Sequence, residues 1–251
     1  MSAGAARGFW RRFLPVWLAG AAGVGALLLQ PVPAALLEAP GMQHVPPAVL
    51  RLLVLANPLL LVTLLALLGA ATAHRVGLGS RLAGTAGDAQ QTWVRSALLT
   101  GLALGLAIPW LDRVLAPLLG EAWQALAQRA DAAWSWRDLA FGMAYGGLAE
   151  EVMLRWGVMA GLAWLLAKAF GRRPAVFALA AVLAALLFGV GHLPALAQEL
   201  ALTPAIVLRT VALNALAGIA YGWLFWRRGL EAAMLAHAAT HGGFALVRIA
   251  T

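Results

Sequence analysis

Long apolar runs, each about the length needed to cross a lipid bilayer, follow one another along this chain of 251 residues. A transmembrane helix takes about 20 predominantly apolar residues. Because backbone in lipid must satisfy its own hydrogen bonds, such runs predict helices. The sequence therefore predicts an all-α, polytopic transmembrane bundle of about seven or eight spans. The clearest runs cover residues 13–37, 48–73, 93–119, 139–167, 175–197, 204–226 and 230–249.

The composition excludes several classes of protein. Charged residues make up 11% of the chain, against about 25% in soluble domains, so the lipid bilayer is the expected partner. The chain has no cysteine, which excludes disulfides, thiol nucleophiles and cysteine metal sites. No basic stripe with interleaved aromatic residues is present, so nucleic acid is not an expected partner.

Basic residues predict the orientation in the membrane. With seven spans, most of them fall in loops on one side, which the positive-inside rule assigns to the cytoplasm. The N-terminus is therefore expected in the cytoplasm, and the Arg-, Ala- and Leu-rich composition favours a bacterial inner membrane. The residues on that side are Arg7, Arg11, Arg12, Arg75, Arg81, Arg95, Lys168, Arg172, Arg173, Arg227 and Arg228.

Two adjacent glutamates and an arginine interrupt the fourth apolar run. Ionised side chains inside a membrane cost several kcal/mol, so they usually carry function. Glu151 and Arg155 are four residues apart, share a helix face and can pair. Glu150 points about 100° away, which predicts a structural Glu151 and a proton-accepting Glu150. The alternative is an ion pair that only joins two helices, and it leaves Glu150 unexplained.

Three histidines lie in later apolar runs. His192 follows Phe188 by four residues, and His237 and His241 are also four apart. With Glu150 they are expected at similar depth in the membrane. The three imidazoles are candidate ligands for one divalent metal such as zinc, or candidate donors to a developing oxyanion. His44 and His74, near span ends, are expected at the surface.

A glutamate with several histidines favours hydrolysis of a peptide bond. Burial suits Glu150 to take a proton from water, while the histidines stabilise an oxyanion or hold a metal that activates the water. The sequence has no Gly-x-Ser-x-Gly nucleophile elbow beside a histidine and no His-Glu-x-x-His zinc helix. Four other residues are each expected to lie outside this site although they share the interior: Met143, Tyr145, Asn214 and Tyr221.

Three motifs, in order on three late spans, resemble those of the CPBP family of intramembrane proteases (CAAX-protease or Abi-like proteins): Glu150-Glu151-x-x-x-Arg155, Phe188-x-x-x-His192 and His237-x-x-x-His241. The resemblance implies an intramembrane endopeptidase, of glutamic or metallo type, acting on a membrane-associated or lipid-modified polypeptide. It implies that Glu150 activates water and that Arg155 holds Glu151. His192 and His237 would complete the site.

The resemblance covers about residues 139–249 and predicts a division of the chain. Residues 1–138 would hold membrane helices without a readable motif, and residues 139–251 the catalytic core. This sequence departs from the family pattern at His241, where Asn or Asp is usual and is proposed to help form an oxyanion hole. Phe and Gly commonly flank the arginine in the family, where Leu154 and Trp156 stand here.

Two other functions stay open. In a proton or metal transporter the same polar residues would form a relay, although no inverted repeat is detectable; ion flux in liposomes tests this alternative. A non-catalytic membrane scaffold or immunity protein of the same fold is the other alternative, and the departure at His241 is its best support. A Glu150→Gln variant that complements as well as wild type would favour the scaffold.

Overall fold

The computed structural model describes residues 3–86 and 93–250, and within these ranges the chain is helical and contains no strand. The α-helices are α1 (Ala3–Gly25), α2 (Ala34–Leu37), α3 (Pro47–Thr72), α4 (Trp93–Leu115), α5 (Glu121–Ala133), α6 (Trp136–Phe141), α7 (Ala160–Phe170), α8 (Pro174–Gly191), α9 (Leu193–Leu196), α10 (Pro204–Arg228) and α11 (Leu230–Ala250). Two π-helical stretches, Gly142–Glu150 and Val152–Met159, join α6 to α7. Single 3₁₀ turns follow α1, α3 and α4.

Six helices in the described part of the chain are long and apolar enough to cross a membrane: Gly8–Leu29, Pro47–Val76, Trp93–Leu118, Trp136–Phe170, Pro174–Leu196 and Pro204–Arg228. The predicted all-α polytopic bundle is confirmed. Helix α11 stands where the seventh span was predicted, and its 21 residues give a length of about 32 Å. Its polar residues keep it out of the six, so its crossing stays a prediction.

The first span ends earlier than predicted. The apolar run continues to Leu37, but the helical segment ends at Leu29. Pro31 and Pro33 follow, and proline has no backbone N–H to continue a helix. The chain beyond them forms only the short helix α2. Pro109 lies inside α4 without ending it.

Glycines bring α4 against α11, the helix that carries two of the candidate histidines. A methyl group added at Gly101 or Gly105 would meet the backbone carbonyl of Ala236 or Thr240. Small residues at such positions let membrane helices approach closely. The N-terminal helices therefore contribute directly to the position of α11.

Charges divide the molecule into two ends. Arg12 Nε donates to the Ala70 carbonyl (3.0 Å), and the Leu230 N–H to the Gly79 carbonyl (3.0 Å), so α1, α3 and α11 meet at one end. This basic end carries ten basic residues: Arg11, Arg12, Arg75, Arg81, Arg95, Lys168, Arg172, Arg173, Arg227 and Arg228. Its acidic residue in the described ranges is Glu231, while Asp88 and the Arg7 side chain lie outside the described part.

The opposite end has balanced charges. Gln30 Nε2 donates to Asp138 Oδ1 (3.2 Å) there, which joins the end of the first span to the start of the fourth. This end carries equal numbers of basic and acidic residues. The six basic residues are Arg51, Arg113, Arg129, Arg137, Arg209 and Arg248, and the six acidic residues are Glu38, Asp112, Glu121, Asp131, Asp138 and Glu199. The segregation agrees with the predicted cytoplasmic N-terminus, and the membrane side itself stays a prediction.

Candidate active site

Glu150 and Glu151 lie in one continuous helix, Trp136–Phe170, which we call the glutamate helix. Its middle is π-helical, so its backbone hydrogen bonds run between residues five apart instead of four. Such wide turns are rare in proteins as a whole, and those that occur often lie at functional sites. Glu151 lies between the two π-helical stretches.

Glu151 and Arg155 form a fully buried ion pair. Their side chains are 0% and 1% exposed, and Arg155 Nε lies 3.2 Å from Glu151 Oε2. Arg155 Nη2 also donates to the Gly218 carbonyl of α10 (3.1 Å). The guanidinium carbon lies 5.2 Å from the ring of Phe188 and 5.3 Å from that of Tyr221, which are distances for cation–π attraction. The pair expected from the four-residue spacing is therefore present.

Both glutamates face the same imidazole. His237 Nδ1 lies 2.8 Å from Glu151 Oε1, and His237 Nε2 lies 3.7 Å from Glu150 Oε2. An ionised carboxylate only accepts hydrogen bonds. The Arg155 guanidinium favours the ionised form of Glu151, and to that form His237 Nδ1 donates a hydrogen bond. This fixes the tautomer and leaves Nε2 turned toward Glu150.

Glu150 differs from Glu151 in access and in partner. Its side chain is 17% exposed, whereas Glu151 is completely buried. The contact of 3.7 Å to His237 exceeds the distance of a direct hydrogen bond. The residue spacing predicts no arginine partner for Glu150, and the sequence gives no signal of the approach of His237.

His192 directly follows the last residue of α8, Gly191. Its Nδ1 lies 2.8 Å from the Phe188 carbonyl, and an N–H there is the only group that can bond a carbonyl. In the neutral ring Nε2 is then an acceptor. The His192 ring packs edge to face on Phe188 at 4.7 Å, and Phe188 also contacts His237 at 5.8 Å. Phe188 thus links the second motif to the third.

His241 stacks on His237, with ring centroids 5.4 Å apart and planes 13° apart. Two glycines of the glutamate helix make room for these rings. A methyl group at Gly146 would lie 2.9 Å from His237 Nε2 and 3.0 Å from His241 Nε2, and one at Gly142 would meet His241 Nδ1. The Gly142-x-x-x-Gly146 face of the glutamate helix therefore makes room for both imidazoles.

Tyr221 belongs to this site, contrary to expectation. It is 1% exposed and lies parallel to the His237 ring at 4.7 Å. The only sequence signal was its position in an apolar span. The other three residues have surroundings of their own, since Met143 is 40% exposed, Tyr145 stacks on Phe141 and Asn214 donates to the Thr210 carbonyl. His44 and His74 are exposed as expected.

The candidate metal ligands do not converge on a common point. Within residues 3–86 and 93–250, no group of three His, Asp or Glu side chains is placed to hold a metal ion. The sequence-predicted ligands also have other contacts, since His237 Nδ1 bonds Glu151 and His192 Nδ1 bonds a carbonyl. The described arrangement does not fit the predicted three-histidine site.

The segment that carries the three motifs is similar to a known protein family. Residues 132–242 match the model of the Rce1-like family, described as type II CAAX prenyl endopeptidase Rce1-like. We call this matched stretch the Rce1-like domain. The Rce1-like domain contains all three motifs and agrees with the resemblance to CPBP proteases. Comparisons with curated proteins and with solved structures returned no match.

The Rce1-like domain implies a protease in a membrane environment with a polypeptide substrate. Its matched range begins six residues before the predicted boundary at residue 138. The division into a motif-free part and a catalytic core stays a prediction. The helices before the Rce1-like domain nevertheless pack on it, as Gly101 and Gly105 do on α11.

Proposed function

We propose that this protein is an intramembrane endopeptidase that uses Glu150 to activate water and hydrolyses a peptide bond of a membrane-associated or lipid-modified polypeptide. The observation that carries the proposal is the placement of one imidazole between two unlike carboxylates. Glu151 is buried and neutralised by Arg155, while Glu150, 3.7 Å from His237 Nε2, keeps partial access to solvent. A carboxylate without a cationic partner is the one able to accept a proton.

In the proposed reaction, a water beside Glu150 attacks the carbonyl carbon of the scissile bond as Glu150 takes its proton. With Nδ1–H of His192 bonded to the Phe188 carbonyl, Nε2 of the same ring would accept from this water and orient it. The attack gives a tetrahedral intermediate with a negatively charged oxygen. When the C–N bond breaks, Glu150 returns the proton to the leaving nitrogen, so the products are a new carboxyl terminus and a new amine.

His241 is the proposed donor to the developing oxyanion. Its ring stacks on His237 and neither of its nitrogens has a hydrogen-bond partner among the described residues, so its tautomer is free to present an N–H toward substrate. A fixed donor aimed at developing charge is worth about 10²–10³ in rate. This role makes the histidine a functional equivalent of the Asn or Asp usual in the related motif.

A divalent metal bound by His192, His237 and His241 is the alternative way to activate water. The described side chains do not form a three-ligand group. No step of the proposed reaction therefore uses a metal. The metal content of the purified protein tests separately whether glutamate or a metal activates the water.

The deciding experiment compares Glu150→Gln with Glu199→Gln in liposomes, using internally quenched peptides in prenylated, acylated and unmodified forms. Both changes replace one carboxylate by an amide, and Glu199 lies exposed in the loop before α10. Loss of general-base catalysis typically costs about 10²–10⁴ in rate. We expect a kcat loss of that size for Glu150→Gln and wild-type rates for Glu199→Gln.

Two results would contradict the proposal. Cleavage by Glu150→Gln at the wild-type rate would remove Glu150 from catalysis. The second result is a wild type that cleaves none of the peptides although a cooperative thermal unfolding transition shows that it is folded. That result would argue against lipid-modified peptides as its substrate class.

A further inference from the structure

A cleft of about 680 Å³ reaches His241 from the end of the molecule opposite the basic end. It lies between α4, α5 and α11, and its volume is in the range of ligand-binding sites. Apolar side chains form much of its wall, among them Ile108, Trp123 and Phe244. His241 lines the cleft and stacks on His237, so the cleft borders the candidate active site at this histidine.

Ion pairs edge this cleft. Arg209 Nε lies 2.6 Å from Asp112 Oδ1, and the Arg209 guanidinium carbon lies 4.3 Å from the Trp123 ring. On another edge, Arg248 Nη2 lies 2.9 Å from Asp131 Oδ1. Paired charges over an apolar wall suit a polypeptide, because a chain brings both polar backbone groups and apolar side chains.

The cleft has a defined position relative to the charges of the bundle. Its residues come from the last turns of α4 and α11, from α5 and from the start of the glutamate helix. These elements form the end where basic and acidic residues are balanced, whereas ten basic residues gather at the other end. The positive-inside rule places the basic end in the cytoplasm, so the cleft opens on the extracytoplasmic side.

We infer that the substrate chain reaches the site through this cleft from the extracytoplasmic side, so that the scissile bond belongs to an exported segment of a membrane-anchored polypeptide. The inference rests on the proposed function for the identity of the occupant. Its sidedness rests on the charge segregation and on the position of the cleft. The alternative is a site that receives its substrate chain from the cytoplasm.

The absence of cysteine in the whole sequence permits a direct test of sidedness. Ala133→Cys places a thiol at the cleft, and Ala175→Cys places one at the start of α8, at the basic end; both alanines are exposed. Each variant is treated with a membrane-impermeant maleimide in intact spheroplasts and again after permeabilisation. We expect the Ala133→Cys variant to react in both preparations and the Ala175→Cys variant only after permeabilisation. Ala130→Cys, which also lines the cleft, repeats the test if Ala133→Cys fails to fold.

A second measurement tests the route. The new thiol of Ala133→Cys is modified with either a bulky maleimide or a small methylthio group, and cleavage of the peptide that the wild type hydrolyses is followed. We expect the bulky group to reduce cleavage at least tenfold and the small group to leave most of it. Equal rates with both groups would overturn the cleft as the route.

The two proposals fail in different ways. If the Ala133→Cys variant reacts only after permeabilisation, with Glu150-dependent cleavage intact, the inferred side is overturned and the protease assignment stands. If the same variant reacts in intact spheroplasts and the protein shows no Glu150-dependent cleavage, the position of the opening is supported and the identity of its occupant is overturned.

Discussion

Tyr221 lies parallel to His237, with ring centroids 4.7 Å apart and planes 20° apart. Tyr221 Oη donates to Thr240 Oγ1 at 2.6 Å, and Thr240 Oγ1 donates to the Ala236 carbonyl at 3.0 Å. Thr240 and Ala236 belong to α11, the helix of His237. The tyrosine is therefore tied to the same helix whose imidazole it covers, and it acts as a positioning residue.

Two replacements of Tyr221 should distinguish the contribution of its ring from that of its hydroxyl. Tyr221→Phe keeps the stacking but removes one buried hydrogen bond, which is worth about 1 kcal/mol of unfolding free energy. Tyr221→Ala also opens a cavity, and we expect a loss of about 3–5 kcal/mol. The measurements are unfolding in mixed micelles and the kcat of peptide cleavage. Equal kcat losses in both variants would contradict a role for the ring.

The buried ion pair should be far more sensitive than an exposed one. Arg155→Met leaves the Glu151 carboxylate buried without a cation, and breaking such a pair costs about 3–5 kcal/mol. Arg248→Met is the control, because its partner Asp131 is 66% exposed and such pairs contribute about 0–1 kcal/mol. Unfolding free energies in mixed micelles compare the two. Similar losses in both would show that the environment of Glu151 is not apolar.

Gly146 should tolerate no side chain. In Gly146→Ala the new methyl group lies 2.9 Å from His237 Nε2 and 3.0 Å from His241 Nε2, so both rings must move. Gly242→Ala is the control, since nothing lies within 4 Å of its methyl position. We expect at least a tenfold drop in kcat for Gly146→Ala and little change for Gly242→Ala. An unchanged kcat in both would mean that the imidazole positions do not limit the reaction.

Glu231 should control the order of the loop after α3. Its carboxylate accepts from Ser80 Oγ at 2.6 Å and from the Leu82 N–H at 3.0 Å. Glu231→Ala leaves these donors without that acceptor, and we expect a loss of about 1–3 kcal/mol with faster hydrogen exchange at residues 80–85. Glu121→Ala, which changes an exposed glutamate in the first turn of α5, should leave exchange in this loop unchanged. Unaltered exchange in Glu231→Ala would show that the loop is held by other contacts.

Metal removal should leave the reaction intact. Because the described residues form no three-ligand group, we expect no stoichiometric zinc in the wild type and full cleavage after treatment with a chelator. The comparison is the His237→Ala/His241→Ala double variant, measured by elemental analysis. Stoichiometric metal in the wild type that disappears in this variant would replace glutamate activation by metal activation.

Parts of the site follow from residue spacing alone. Spacing of four residues on a helix puts Glu151 beside Arg155 and Phe188 beside His192, and both contacts are present. The order of the apolar spans likewise predicts the bundle. These features need only the geometry of a single helix.

The remaining features depend on contacts between helices. The approach of His237 to both glutamates combines a π-helical segment with the packing of α11, and neither has a sequence signal of its own. The contact of Tyr221 with His237 requires the relative rotation of α10 and α11. The predicted length of the first span was too great, because the apolar run continues past the prolines at which backbone hydrogen bonding stops.

The adjacent carboxylates also fix how deep the glutamate helix sits. Helices rich in Leu, Ala and Gly gain little from one axial offset over another, because lipid is as apolar as their neighbours. A shift of one residue, which combines about 1.5 Å along the axis with about 100° of rotation, would place Val152 opposite His237 Nδ1 and remove Arg155 from the Gly218 carbonyl. Such an offset would leave a carboxylate and a guanidinium without partners in apolar surroundings. The polar groups beside the proposed catalytic glutamate thus also set the axial register of the glutamate helix against its neighbours.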